Sequence, residues 1–513
     1  MDAQNNLPPV QSTPPYAPIP RPKPFLPVKG RELVLGTLVL VFAIMAVHAM
    51  FFGNLSLFFS LGVLGMLGSS VWYLLRCGYR PGFYQSSLLV LTAAVAAAFS
   101  WTTDMIQLAM LPVLLLVPSL AFCLITGHNR RPAGGFTSLL DSPRGLLFLG
   151  VGNLEQSARG TKIAFQSGGA IGRAGGPLIL GLVIALPLIL ILVPLLMSAD
   201  AAFEGLLDLL PEFRLQEVIV PLLVGFPLGW VLFTRTVSMH HTPKPVPTAP
   251  AKRLLNPLTA NTVLIAVCVV YVAYLVSQAA YFSGGFAGIL PEEYTMADYA
   301  RRGFFEMAWL AAINLTIISL AMGLLGGRAS KFTRVCCLFI GLVTVFLVAT
   351  ASAKMFMYIG AYGLTHSRVL TEVFMLWLAV TTIAVCVWLF WPKLPYFKVA
   401  LLLGLVMCAV LMWADVDAVV ARYNVRAYQS GQLETVDMDH LHDLGYGAIP
   451  YLDELTRDSD PEIAREATRI LERYYYNPED RYLNYTYQKA ISILEIYQPL
   501  EQADAEALPR DIP

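Results

Sequence analysis

Backbone amides inside hydrocarbon have no water to bond to, so an apolar run of roughly 20 residues crosses a bilayer as a helix. Such runs recur through the first 418 positions, near 32–52, 55–75, 86–103, 105–126, 177–198, 218–238, 258–281, 303–325, 334–358, 368–391 and 399–418. That makes eleven spans, of which the third, with the Ala-rich stretch VLTAAVAAAFSWTT, is only moderately hydrophobic. Only 14% of the residues are charged, against about a quarter in a soluble domain. The expected fold class is all-α: a polytopic transmembrane helix bundle with a small C-terminal extramembrane helical domain.

The loops alternate in charge. Counted over the tail and every second loop up to Lys398, one side holds 21 Lys and Arg residues. The opposite loops hold Arg214, Arg301, Arg302 and Arg368, which is 4. Basic loops stay cytoplasmic, so the N-terminus is expected inside and, with an odd number of spans, the C-terminus outside. The net charge of zero hides this segregation. No basic patch with interleaved aromatics occurs, so a nucleic-acid partner is not expected.

Five regions follow from composition. Residues 1–30 carry nine prolines and are expected to be a disordered cytoplasmic tail. Residues 31–238 form a first half of six spans, with a long Gly-rich cytoplasmic loop at 127–176. Within that loop, 142–154 (SPRGLLFLGVGNL) is too short to span and is expected in the interface. GGAIGRAGG lacks the Gly-Lys-Ser/Thr ending of a phosphate loop. Residues 198–217 read as an acidic amphipathic helix on the outer surface. Residues 239–257 are a Pro-rich cytoplasmic linker in which His240 and His241 are expected to be solvated. Five spans then make a second half, 258–418.

Residues 419–513 are acidic, with 18 of the 35 Asp and Glu residues. Asp460-Pro461-Glu462 is a helix start: a capping carboxylate, proline at the first helical position, then an acid at the dipole. Ile463, Ala467, Ile470, Leu471 and Tyr474 give that helix an apolar stripe, and Ile449, Leu452 and Leu455 give a shorter one before it. The pair, near 447–474, reads as a HEAT-like hairpin, a surface for a periplasmic protein partner rather than a catalytic module.

Ionisable groups within spans mark candidate sites, because a charge facing lipid is expensive and usually turns inward and pairs. Glu306 lies one turn beyond Arg302, roughly 6 Å deeper at about 1.5 Å per residue. Glu372 stands in the same relation to Arg368, and Lys354 lies one turn before the outer end of its span. The expectation is a cluster of Glu306, Lys354 and Glu372, with Arg302 and Arg368 at its mouth and Asn314 deeper. A static salt bridge, a polar ligand or ion site, and proton coupling are all compatible with it.

Enzyme chemistry has no positive sign. The spacing of Asp437, Asp439, His440, His442 and Asp443 matches no standard metal site. No Ser–His–Asp, Cys–His or metalloprotease motif is present. Catalytic, cofactor-binding and metal-binding residues are therefore all expected to be none. The seven cysteines lie in or beside apolar spans and imply no disulfide framework.

Several motifs resemble one family. YARRGFFE (299–306) followed by Asn314, AYGLTHSRV (361–369), Asn424-Val425 and LHDLGYGAIPYLDEL (441–455) are similar to the signature of membrane families of unknown function numbered four-one-five-three and four-one-seven-three. The resemblance covers roughly 180–460 and implies a bacterial inner-membrane protein, with no activity or cofactor attached. The functional expectation is an envelope sensing or scaffolding protein. The alternative is a small-solute or ion transporter that uses the charged cluster.

Overall fold

The computed structural model of the protein describes residues 25–52, 55–102, 106–132, 135–167, 215–246, 256–286, 304–325, 329–476 and 484–497, with the single positions Ala185, Leu192 and Leu196. Among the described residues every element is helical. The chain begins with α1 (Gly30–Phe52), α2 (Leu57–Arg76), α3 (Phe83–Ala98) and α4 (Ile106–Thr126). A segment of short helical turns, 136–153, leads into α5 (Leu154–Ser167). The helices α6 (Leu215–His241), α7 (Pro257–Phe286), α8 (Phe304–Leu325), α9 (Lys331–Tyr362), α10 (His366–Phe390) and α11 (Tyr396–Ala414) follow. Eight of these are long and apolar enough to cross a membrane, and α3 and α8 contribute shorter apolar helices. The expected span near 177–198, the Gly-rich stretch after Ser167 and most of the surface helix 198–217 lie outside the described residues.

The helix ends sort onto two faces. Arg31 Nη1 donates to the Arg76 carbonyl at 3.1 Å, joining the start of α1 to the end of α2. His128 and Thr242, just past α4 and α6, meet at 3.3 Å. Thr333 donates to Asn261 at 2.7 Å and Arg334 to the Leu389 carbonyl at 3.2 Å, joining the starts of α7 and α9 to the end of α10. These contacts define a near face, where α1 begins. At the far face, Trp413 of α11 donates to the Ala94 carbonyl of α3 at 3.0 Å. Because α4 and α6 both finish on the near face, they run parallel, and α6 starts on the side opposite to where α4 stops.

Five helices of the first half form a ring. Gly225 lets α6 touch α1: a Cβ there would lie 2.8 Å from Ile44 Cα, so only a hydrogen fits. Gly62 of α2 is held as closely, 2.7 Å from Ala46 Cβ. α3 and α4 complete the ring. The 136–153 segment, which holds most of the 142–154 patch expected in the interface, packs against two of the ring helices. Gly145 packs beside Cys123 and Met239, and Gly150 beside Val231 and Arg235, so the segment inserts between α4 and α6. The disordered tail expected over 1–30 is described only from Phe25. There Leu26 and Val28 are buried, and Leu26 N–H donates to the Gln156 carbonyl of α5 at 3.1 Å.

α7 to α10 make a second group around Leu264, Ile318, Ile340, Val343 and Val385. α11 belongs to neither half alone. Trp377 of α10 donates to its Ala400 carbonyl at 2.8 Å, while Leu405 enters the core of the first ring. Beyond α11 come α12 (Val416–Gln429), α13 (Met438–Asp443), α14 (Ile449–Leu455), α15 (Pro461–Tyr476) and α16 (Tyr485–Leu494). Their shared core holds Val420, Val425, Leu441, Ile449, Leu452, Ala467, Leu471 and Tyr487. α15 starts where the sequence places it, with Asp460 Oδ1 accepting from Glu462 N–H at 2.9 Å.

Candidate functional site

Of the six residues singled out in the membrane, four have described side chains. Arg302 lies outside the described residues, and Glu306 falls in the first turn of α8 with its side chain outside them. Glu372 of α10 accepts from the Ser352 hydroxyl of α9 at 2.9 Å. Its second oxygen, Oε1, is buried without a hydrogen-bond partner among the described residues. Lys354, two residues on from Ser352, leaves α9 about 160° around the helix from it. Lys354 and Ser352–Glu372 therefore occupy different sides of α9.

Arg368 does something else. Its Nη1 donates to the carbonyls of Tyr362, at 3.0 Å, and Gly363, and its guanidinium lies 4.3 Å from the Tyr358 ring centroid. A cation on the last carbonyls of a helix satisfies acceptors that have no partner within the helix. Arg368 thus caps α9. Asn314 is fully buried and links three helices. Tyr271 of α7 donates to its Oδ1 at 2.6 Å, and its Nδ2 donates to Thr344 of α9 at 2.8 Å. Thr344 passes its own proton to the Ile340 carbonyl at 2.8 Å, so each of these interhelical bonds is made.

A second polar centre, at the near face, was not singled out from the sequence. Glu32 is 4% exposed although it begins the first span. It accepts from Lys29 N–H and from the Tyr73 hydroxyl, each at 3.0 Å, and His241 Nε2 lies 3.7 Å away. His240 meets the edges of Tyr73 and Tyr79, with centroids 6.2 and 5.9 Å apart. His240 is therefore packed between aromatic rings, while His241 stays exposed at the helix end, because α6 runs on to His241 instead of ending at the expected linker boundary. The signal available was Glu32 three residues after Lys29, the spacing of a carboxylate that reaches back to a helix's first N–H.

The far face carries a docking contact. α11 ends at Asp415, whose left-handed backbone (φ 52°) turns the chain into α12. Thr486 Oγ1 lies 2.5 Å from Asp415 Oδ2 and 3.0 Å from the Trp101 carbonyl. Tyr485 stacks on Trp101 at 4.1 Å. Burial pushes the Asp415 carboxyl above its usual range, against the opposing bonds from Thr486 and Ala418 N–H. On the α9–α10 turn, the Asn424 amide exchanges two bonds with the Leu364 backbone, at 2.7 and 2.8 Å. Gly363 beside it has φ +75°, and a Cβ there would meet Asn424 Oδ1 at 2.7 Å.

Asp437 and Asn484 cap α13 and α16 by accepting from His440 and Tyr487 N–H, both at 2.9 Å. Asp437 thus has a structural task beside the His and Asp residues that surround it. No curated protein and no solved structure matches the chain. One family model does, and it reaches further toward the N-terminus than the motifs quoted from the sequence, taking in the first ring as well as the second group of helices. Over residues 37–455 the chain belongs to the family described as a domain of unknown function, DUF4153.

Proposed function

We propose that this multi-pass membrane protein is a sensing or scaffolding protein of a bacterial plasma membrane. Its near face would lie in the cytoplasm and its helices α12–α16 outside. The Lys- and Arg-rich loops support this orientation, since cytoplasmic loops carry the basic excess. Residues 419–513 would act as the external module, with Arg465, Arg469, Glu472 and Arg473 on the exposed side of α15 offered to a protein partner.

The observation that carries this reading is the way the module is held. It has its own core, yet it is pinned to the loop after α3, to the end of α11 and to the α9–α10 turn. A load on α15 would therefore be felt by both groups of membrane helices. Lys354 and Glu372 lie in the two helices which that turn joins. Glu372 Oε1, buried without a hydrogen-bond partner among the described residues, supports a polar ligand or ion beside it, to which Glu306 would add a second carboxylate.

Hydrogen exchange of the full chain tests the relay. Thr486→Val with Trp101→Ala releases one pin. Amides at 136–167, on the opposite face, are then expected to exchange several-fold faster than in the wild type. Changes confined to α12–α16 would sink the relay.

A further inference from the structure

The ring of α1, α2, α3, α4 and α6 is not filled. A cavity of about 300 Å³ runs through it, lined by Val63 and Leu67 of α2, Leu111 and Leu114 of α4 and Leu232 of α6. Its wall follows α2 from Phe59 to Ser70, roughly 16 Å at about 1.5 Å per residue. Two hydroxyls face the cavity, and both are occupied within their own helices: Ser70 donates to the Met66 carbonyl at 2.8 Å and Thr92 to the Leu88 carbonyl at 2.7 Å.

Arg235 is the exception on this wall. It sits in α6 six residues before the near-face end and is 4% exposed. Its Nε has no hydrogen-bond partner, and no acidic side chain pairs with it among the described residues. Asp141, a buried carboxylate on the 136–153 segment, is engaged by Arg131 and Arg144. The Phe122 ring, 5.2 Å from the guanidinium carbon, offsets only part of the missing counter-charge. A guanidinium does not escape by losing its proton. The arrangement is a fixed cation on the wall of an otherwise largely apolar cavity, toward its near-face end.

We propose that this cavity binds an anionic amphiphile with a single hydrocarbon chain, its carboxylate or phosphate head on Arg235 and its chain along α2 and α4. The guanidinium fork matches both head groups. A volume at the lower limit of ligand pockets holds one chain and not two. A neutral chain would leave Arg235 unpaired, and an inorganic anion would leave the rest of the cavity empty.

The test uses the full chain, stripped of lipid and placed in phosphatidylcholine nanodiscs. The probes are dodecanoate, dodecyl phosphate, dodecanol and inorganic phosphate, followed by native mass spectrometry and by the thermal midpoint. One anionic amphiphile per chain is expected to bind saturably, with dodecanol and inorganic phosphate at least tenfold weaker. Binding of dodecanoate alone assigns the head to a fatty carboxylate. Binding of dodecyl phosphate alone assigns it to a single-chain phospholipid, and binding of both supports the shared chemistry. Arg235→Gln should weaken the anionic probes at least tenfold. Val63→Phe keeps the cation but fills the cavity, and should lose the same binding even if Arg235→Gln does not fold. Equal binding of dodecanol and dodecanoate, or undiminished binding to either variant, would overturn the proposal.

Discussion

Asn314 and Arg235 are both polar side chains buried inside membrane helices, and their surroundings differ in kind. Asn314 gives and receives a hydrogen bond between helices, so both polar atoms of its side chain are used. Arg235 faces a cavity and has an aromatic ring in place of an anion. A satisfied buried polar group reads as a packing device, and an unsatisfied one as a place kept for something else. Glu32 and Asp415 fall on the Asn314 side of this division, each bonded to neighbours that fix helix ends.

The comparison can be broken by substitution. The largest effect is expected at Arg235. Replacing it with leucine in lipid-free protein removes an uncompensated buried charge and should stabilise the fold by about 1–4 kcal/mol, read from the thermal midpoint. Glu32→Leu should act in the opposite direction. It strands the Tyr73 hydroxyl and the Lys29 N–H, at a cost of about 2 kcal/mol. Asn314→Leu should cost about 1 kcal/mol, and Tyr271→Phe combined with it should cost less than the sum of the two alone. A fully additive pair would mean that the observed bond carries no coupling.

The smallest effect is a pH dependence at the far face. Asp415 is raised in the folded protein, chiefly by burial, and Asp417 pushes the same way while Lys489 opposes. A raised carboxyl adds stability below its unfolded pKa and loses it as pH rises through the folded one. With Asp415 protonated, it can donate to Thr486, and Thr486 can donate to the Trp101 carbonyl. Ionisation makes Asp415 and that carbonyl compete for one hydroxyl proton. Proteolytic release of the C-terminal helices should therefore be slowest in acid and speed up as pH rises, and Asp415→Asn should flatten the profile.

Much of this was legible in the sequence. The apolar runs located the membrane helices, and the charge alternation anticipated the sorting of their ends. Asp460-Pro461-Glu462 marked the start of α15 because capping is local chemistry. Long-range partners were not legible. Arg235 reads as one more cation near a cytoplasmic helix end, since nothing nearby in sequence shows that it lines a cavity inside the helix ring. His240 and His241 looked like linker residues because the following Pro-rich stretch sets the local composition, while α6 continues through them. Arg368 and Glu372 repeat the spacing of Arg302 and Glu306, yet Arg368 caps a neighbouring helix. The insertion of 136–153 is set by glycines that meet α4 and α6.

The most direct measurement is a thermal comparison of Arg235→Leu and Asn314→Leu with the wild type, in lipid-free protein and again with dodecanoate. Without the amphiphile, the midpoint should rise for Arg235→Leu and fall for Asn314→Leu. With it, the wild type and Asn314→Leu should both gain stability and Arg235→Leu should not. A fall in both variants without amphiphile, together with an equal gain in all three proteins when it is added, would contradict the division between satisfied and waiting polar groups.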